Sequence, residues 1–116
     1  MATRTWYSVR LLFVSDIHGD LNRDRLCEES LIVVQETSED RARQAAHQIA
    51  LGMDHEYKNE EGELVQWRFV GILEVQDLCE EKLKSGTEVY SRLFYESQAV
   101  HPEVLRVLHT PASSRQ

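Results

Sequence analysis

One long stretch of this chain has the period of a helix, and the apolar runs that flank it have the period of a strand. From Ser38 through Gly52 the residues Ala42, Ala45, Ala46, Ile49 and Ala50, continued by Met53, recur at helical spacing. Ser38 can cap the N-terminus, and Glu39 and Asp40 fall in the first turn, where the helix dipole favours negative charge. Gly52 is placed to end the helix as its C′ residue. The stripe is built mostly of small residues, so this helix can lie close against a sheet. Arg41, Arg43, Gln44, His47 and Gln48 are expected to face water.

The strand-like stretches come on both sides. In Thr5–Val14, Tyr7, Val9, Leu11 and Phe13 share one face, while Trp6, Ser8, Arg10, Leu12 and Val14 share the other. Residues 15–25 are rich in Asp, Gly, Asn and Arg and read as an exposed loop. Cys27–Glu36 is a second strand, centred on the apolar run Leu31–Val34. His55–Asn59, a turn at 59–62 and a long strand Glu63–Val75 read as a hairpin, with Val65, Trp67, Phe69, Leu73 and Val75 on one face. Gly71 marks a bulge or bend in it. Asp77–Lys84 reads as a helical turn closed by Ser85-Gly86, and Glu88–Tyr95 as a last strand. The expected fold is α+β: a single antiparallel sheet of about five strands, order β-β-α-β-β-β, with one main helix on one face. The domain spans 1–96. The tail, 97–116, carries a short amphipathic helix over 101–109, opened by Pro102, and is disordered from Thr110.

The charge balance narrows the partners. Thirteen basic against twenty acidic residues leave −7 on 116 residues. That argues against a nucleic acid held on a broad basic face, and against an anionic membrane surface. No run approaches the ~18 apolar residues of a membrane span. The first ten residues lack a basic segment leading into a long apolar one, which points to the cytoplasm. Cys27 and Cys79 lie far apart, outside any C-x-x-C pattern, and are expected to be reduced structural thiols. No cofactor is implied, since the five glycines are scattered and build no phosphate-cradling loop.

Phe13–Leu21, FVSDIHGDL, resembles the first signature of the calcineurin-like metallophosphoesterases. There an Asp and a His one residue apart, just after a strand, share a cation, and a pair of cations clamps the phosphate and activates water. Asp16 and His18 occupy those positions and are the candidate metal ligands. The rest of that pattern departs. Gly19-Asp20 lies within the same loop, Asp24-Arg25 is one residue out of register, Leu26 replaces a required Gly, and Asp54 stands where Asn is needed. The alternative is a connecting loop in which Asp, Gly and Asn form turns.

A second likeness covers most of the chain. Trp6–Phe13 (WYSVRLLF), Cys27–Val34 (CEESLIVV), His55–Leu78 and Gly86–Phe94 (GTEVYSRLF), in this order, resemble a family of small bacterial proteins known as domain of unknown function 4288. That resemblance implies an envelope for the fold and no activity.

Three arginines sit mid-strand: Arg10, Arg68 and Arg92. If their strands are neighbours, the guanidiniums share the sheet face away from the helix, with Glu28, Glu74 and Glu36 as candidate partners, bordered by Trp6 and Tyr90. A ladder of cross-strand ion pairs is one reading. A surface that receives a carboxylate, a phosphate or a partner's acidic residues is the other. No Ser-His-Asp or Cys-His set can be assembled. The expected function is a non-catalytic interaction module whose partner is another protein or a second copy. An anion-binding or catalytic Arg/Glu face, and a metal-dependent phosphohydrolase at Asp16 and His18, are the alternatives.

Overall fold

The computed structural model of the protein describes residues 3–20, 24–98 and 106. In chain order the elements are β1 (Thr5–Ile17), β2 (Cys27–Glu36), α1 (Glu39–Leu51), β3 (His55–Lys58) and β4 (Leu64–Asp77), with a single 3-10 turn at Glu96–Gln98. The strands form one antiparallel sheet in the spatial order β2-β1-β4-β3. The α+β class follows expectation, as does one main helix on one face of the sheet among the described residues. The sheet has four strands among the described residues, in the element order β-β-α-β-β, where about five were expected.

The core lies between α1 and the odd-numbered face of β1. Tyr7, Val9, Leu11 and Phe13 are buried there with Val34 of β2 and with Ala42, Ala46 and Ala50 of α1. Those alanines form a single i, i+4 row, and lacking side chains beyond Cβ they let the helix settle close to the strands. Ile49 and Met53, expected in the same stripe, are exposed on its flank. The Ser38 side chain accepts a hydrogen bond from the Arg41 N–H at 3.2 Å, as a helix cap should. Gly52 ends the helix in right-handed conformation, φ −77°, so the expected left-handed termination is absent.

Pairing of β1 with β2 runs without a break from Thr5↔Glu36 to Val14↔Cys27. Pairing of β1 with β4 slips twice. Phe13 faces Phe69, Leu12 faces Gly71, Leu11 faces Ile72 and Arg10 faces Glu74, so Val70 and Leu73 are extra residues on β4. Each bulge reverses the alternation beyond it. Ile72 therefore packs on the core with Trp67, Phe69 and Val75, and Leu73, expected there, is 44% exposed. At the β3–β4 turn, Asn59 Oδ1 accepts from the N–H groups of Glu61 (3.1 Å) and Glu63 (2.9 Å). Gly62 there has φ +79°, a conformation that favours glycine.

Two expected elements are absent. Residues 78–84 hold no helical turn, because the chain continues to pair with the start of β1. Leu78 N–H donates to Trp6 O (2.9 Å), and Trp6 N–H donates to Glu80 O (2.8 Å). Glu88–Tyr95 is not a strand. Its Ser91 backbone is bound by a side chain instead: Gln76 Nε2 donates to Ser91 O (2.9 Å), and Ser91 N–H donates to Gln76 Oε1 (3.3 Å). The expected tail helix over 101–109 lies outside the described residues, Arg106 excepted. Among the described residues no helix is long and apolar enough to cross a membrane.

Candidate functional site

Strand alternation assigns the face opposite α1 to the even residues of β1. Trp6, Ser8, Arg10, Leu12, Val14 and Asp16 point there. From β2 the register adds Glu29, Leu31, Val33 and Gln35. From β4 it adds Gln66, Arg68, Glu74 and Gln76. Among the described residues no helix covers this side, yet Ser8 is only 2% exposed. Residues 78–91 supply the cover at this end. Gln35 Nε2 donates to Glu81 O at 3.0 Å, Gln76 holds Ser91, and the Tyr90 ring lies 5.9 Å from the Arg10 guanidinium carbon. The face is thus strapped at the Trp6 end and open along β2, where Leu31 and Val33 are 46% and 37% exposed.

Arg10 is the centre of the face. Its Nη1 donates to Glu29 Oε1 at 2.5 Å, and its Nη2 lies 3.5 Å from Glu74 Oε2. The Glu29 hydrogen bond first, then the charges around it, hold this guanidinium protonated more firmly than an ordinary arginine, against the cost of partial burial. Among the described residues its Nε is buried without a hydrogen-bond partner. Glu74 is where the sequence placed it. Glu28 is not: it is in register with Phe13, on the helix side, and accepts from Ser30 Oγ at 3.4 Å. Glu29 takes its place beside Arg10. Only the strand register distinguishes the two, because adjacent residues of a strand point to opposite faces.

A second ion-pair group surrounds Asp16. β1 runs three residues beyond its expected end, so Asp16 belongs to the strand and not to a loop. Arg68 Nε donates to Asp16 Oδ2 at 2.9 Å, and Arg25 Nη1 donates to Oδ1 at 3.1 Å. These hydrogen bonds, Arg68's foremost, hold the carboxyl below the usual carboxylate range. His18 is exposed in the turn after β1, with its N–H donating to Leu64 O at 2.9 Å. Among the described residues no three His, Cys, Asp or Glu side chains are grouped to hold a metal. Both oxygens of Asp16 already accept from guanidiniums, so a cation there would compete with two fixed positive charges.

Arg92 is not brought to the sheet by a strand. It is exposed and stacks on Phe94, its guanidinium carbon 5.2 Å from the ring centroid. Trp6 and Tyr90 are both half-buried under or within the strap. On the helix side, sequence reasoning missed an aromatic row: His55 stacks on Trp67 (6.4 Å) and on Tyr57 (6.2 Å). The cross-strand pair His55↔Trp67 was the available signal, and it needed the hairpin register.

No curated protein and no solved structure matches the chain. One family model does, the domain of unknown function DUF4288, over residues 6–91. These limits take in β1 from Trp6 on, both following elements, the β3–β4 hairpin and the strap as far as Ser91, and by that match the chain belongs to the DUF4288 family.

Proposed function

We propose that this protein is a non-catalytic interaction module, binding another protein or a second copy of itself through the open face and the adjoining β2 edge. The observation that carries this reading is the exposed pair Leu31 and Val33, on the open face of β2, whose one charge is already neutralised within the molecule. That charge, Glu29, is taken up by Arg10, while Glu36, in register with Thr5, lies on the helix side 3.8 Å from Arg4. What remains outward is apolar. The groups best suited to chemistry support the same reading. Arg10 sits between two carboxylates and Asp16 between two guanidiniums, so neither offers a free charge to a substrate. A net charge of −7 favours a protein surface over a nucleic acid or an anionic membrane. The setting we infer is cytoplasmic, in keeping with two exposed free thiols.

Two measurements test the reading. Light scattering from low to high micromolar concentration is expected to show self-association; a monomer throughout removes the self-binding form. Hydrolysis of a generic phosphodiester with Mn²⁺ is expected to be absent. Activity that disappears in Asp16→Ala would overturn the non-catalytic reading.

A further inference from the structure

The geometry points to the free edge of β2 as the place where a second copy of this chain pairs, antiparallel, about a two-fold axis at Ile32. This rests on the interaction-module reading and gives it a partner and a register.

The direction of the backbone groups comes first. Trp6 spends its N–H on Glu80 and its C=O on Leu78, on the β4 side of β1, while Ser15 N–H goes to Leu26 O on the β2 side. In an antiparallel sheet these directions alternate along the strand. Even residues of β1 therefore bond toward β4 and odd ones toward β2. On β2, Ser30, Ile32 and Val34 face odd residues of β1 and bond inward. Glu29, Leu31, Val33 and Gln35 then direct their N–H and C=O groups outward. Arg4 marks that direction, since its Nη2 donates to Gln35 O at 2.8 Å.

The two edges of the sheet differ. β3 is four residues long and carries Glu56 and Lys58, which discourage pairing. β2 is ten residues long and straight in register, with no Pro, no Lys and no bulge. Among the described residues no strand lies outside it.

The occupant follows from charge and register. When β2 pairs with its own copy, opposite residues have a constant sum of numbers. With Ile32 opposite the partner's Ile32, Leu31 meets the partner's Val33, and apolar residues meet apolar ones through the centre. Glu29, held by Arg10, meets the partner's Gln35. Glu28 meets the partner's Glu36, and this is the one contact of like charge. It falls beside Arg4, whose guanidinium already lies 3.8 Å from Glu36 and is half exposed. Arg4 can bridge the two carboxylates. Moving the axis to Leu31 sets Glu29 against Val33 and Glu28 against Val34. Moving it to Val33 sets Leu31 against the partner's Gln35 and Glu29 against the partner's Thr37, so the exposed Leu31 and Val33 no longer meet. The Ile32 axis sets the two exposed apolar side chains, Leu31 and Val33, against each other and keeps Glu28 and Glu36 within reach of Arg4. The product is one continuous sheet with both helices on the same side.

Sedimentation equilibrium and a cross-link test the pairing. Ile32 would face its copy in a non-hydrogen-bonded pair, with Cα atoms ~4.5 Å apart, within disulfide reach. In a Cys27→Ser, Cys79→Ser background, Ile32→Cys is expected to form an intermolecular disulfide on air oxidation. Val33→Lys, at an exposed side chain, is expected to raise the dimer dissociation constant more than about tenfold with an unchanged circular dichroism spectrum. A dimer that survives Val33→Lys, or an Ile32→Cys chain that stays unlinked, overturns this pairing and leaves the interaction-module reading standing. A wild-type chain that is monomeric at every concentration removes both this pairing and the self-binding form of that reading.

Discussion

At the scale of single residues, the two ion-pair groups separate what is charged from what is available. Asp16 accepts from Arg68 and Arg25, and both bonds depress its pKa. A carboxyl with a lowered folded pKa adds stability above its unfolded pKa and loses it as pH falls through the folded one. The Asp16 carboxyl, followed by carbon-detected NMR, should titrate below the usual ~3.9 of an aspartate. In Arg68→Ala its midpoint should move up toward that value. Glu28 and Glu29 give a sharper contrast. Glu29→Gln removes the ionic partner of Arg10 and should cost about 0.5 to 1 kcal/mol, as exposed pairs do. Glu28→Gln, on the other face, should stay within about 0.5 kcal/mol of wild type. Urea unfolding of the two variants makes the comparison.

At the scale of elements, the bulges on β4 decide which side chains reach the core. Val70 and Leu73 are extra residues, so Ile72 and not Leu73 continues the buried row. Ile72→Asp would bury an unpaired charge and should destabilise by more than about 3 kcal/mol, or prevent folding. Leu73→Asp, at an exposed bulge, should cost less than about 1 kcal/mol. A smooth strand would have given the opposite order. The alanine row of α1 is equally specific: Ala46 is fully buried, so Ala46→Leu should cost about 1 to 3 kcal/mol by overpacking.

At the scale of the molecule, the described residues form one sheet with one covering helix. Among them the second face has no layer of its own, and the stretch from Leu78 to Ser91 covers only part of it. That strap is held by few groups. Gln76 binds the Ser91 backbone through both ends of its amide, and Tyr90 lies over Arg10. Gln76→Ala should loosen it without melting the sheet. Trypsin cleavage after Lys84 and Arg92 should then speed up several-fold while the circular dichroism spectrum is unchanged. Equal cleavage in both proteins would place the anchor elsewhere.

Several features of the fold are legible in the residues alone because they depend on local periodicity. The alternation in Thr5–Val14, the apolar run in β2, the Ala-rich helix with Ser38 at its cap, and the turn after Asn59 each follow from neighbours a few positions apart. The α+β class and the covering of the sheet by α1 follow from their order. What pairs with what is a different kind of fact. Whether Arg10 meets Glu28 or Glu29 depends on a one-residue difference in register between strands distant in sequence. Whether Leu73 is core depends on two bulges. Whether Glu88–Tyr95 joins the sheet depends on the edges left to it: β1 already has β2 and β4 as neighbours, and Gln76 captures the Ser91 backbone by its side chain. A period of two can be read in the residues. The partner across the sheet is chosen by the tertiary structure, because backbone hydrogen bonds are alike along every strand and only packing and closure select among them.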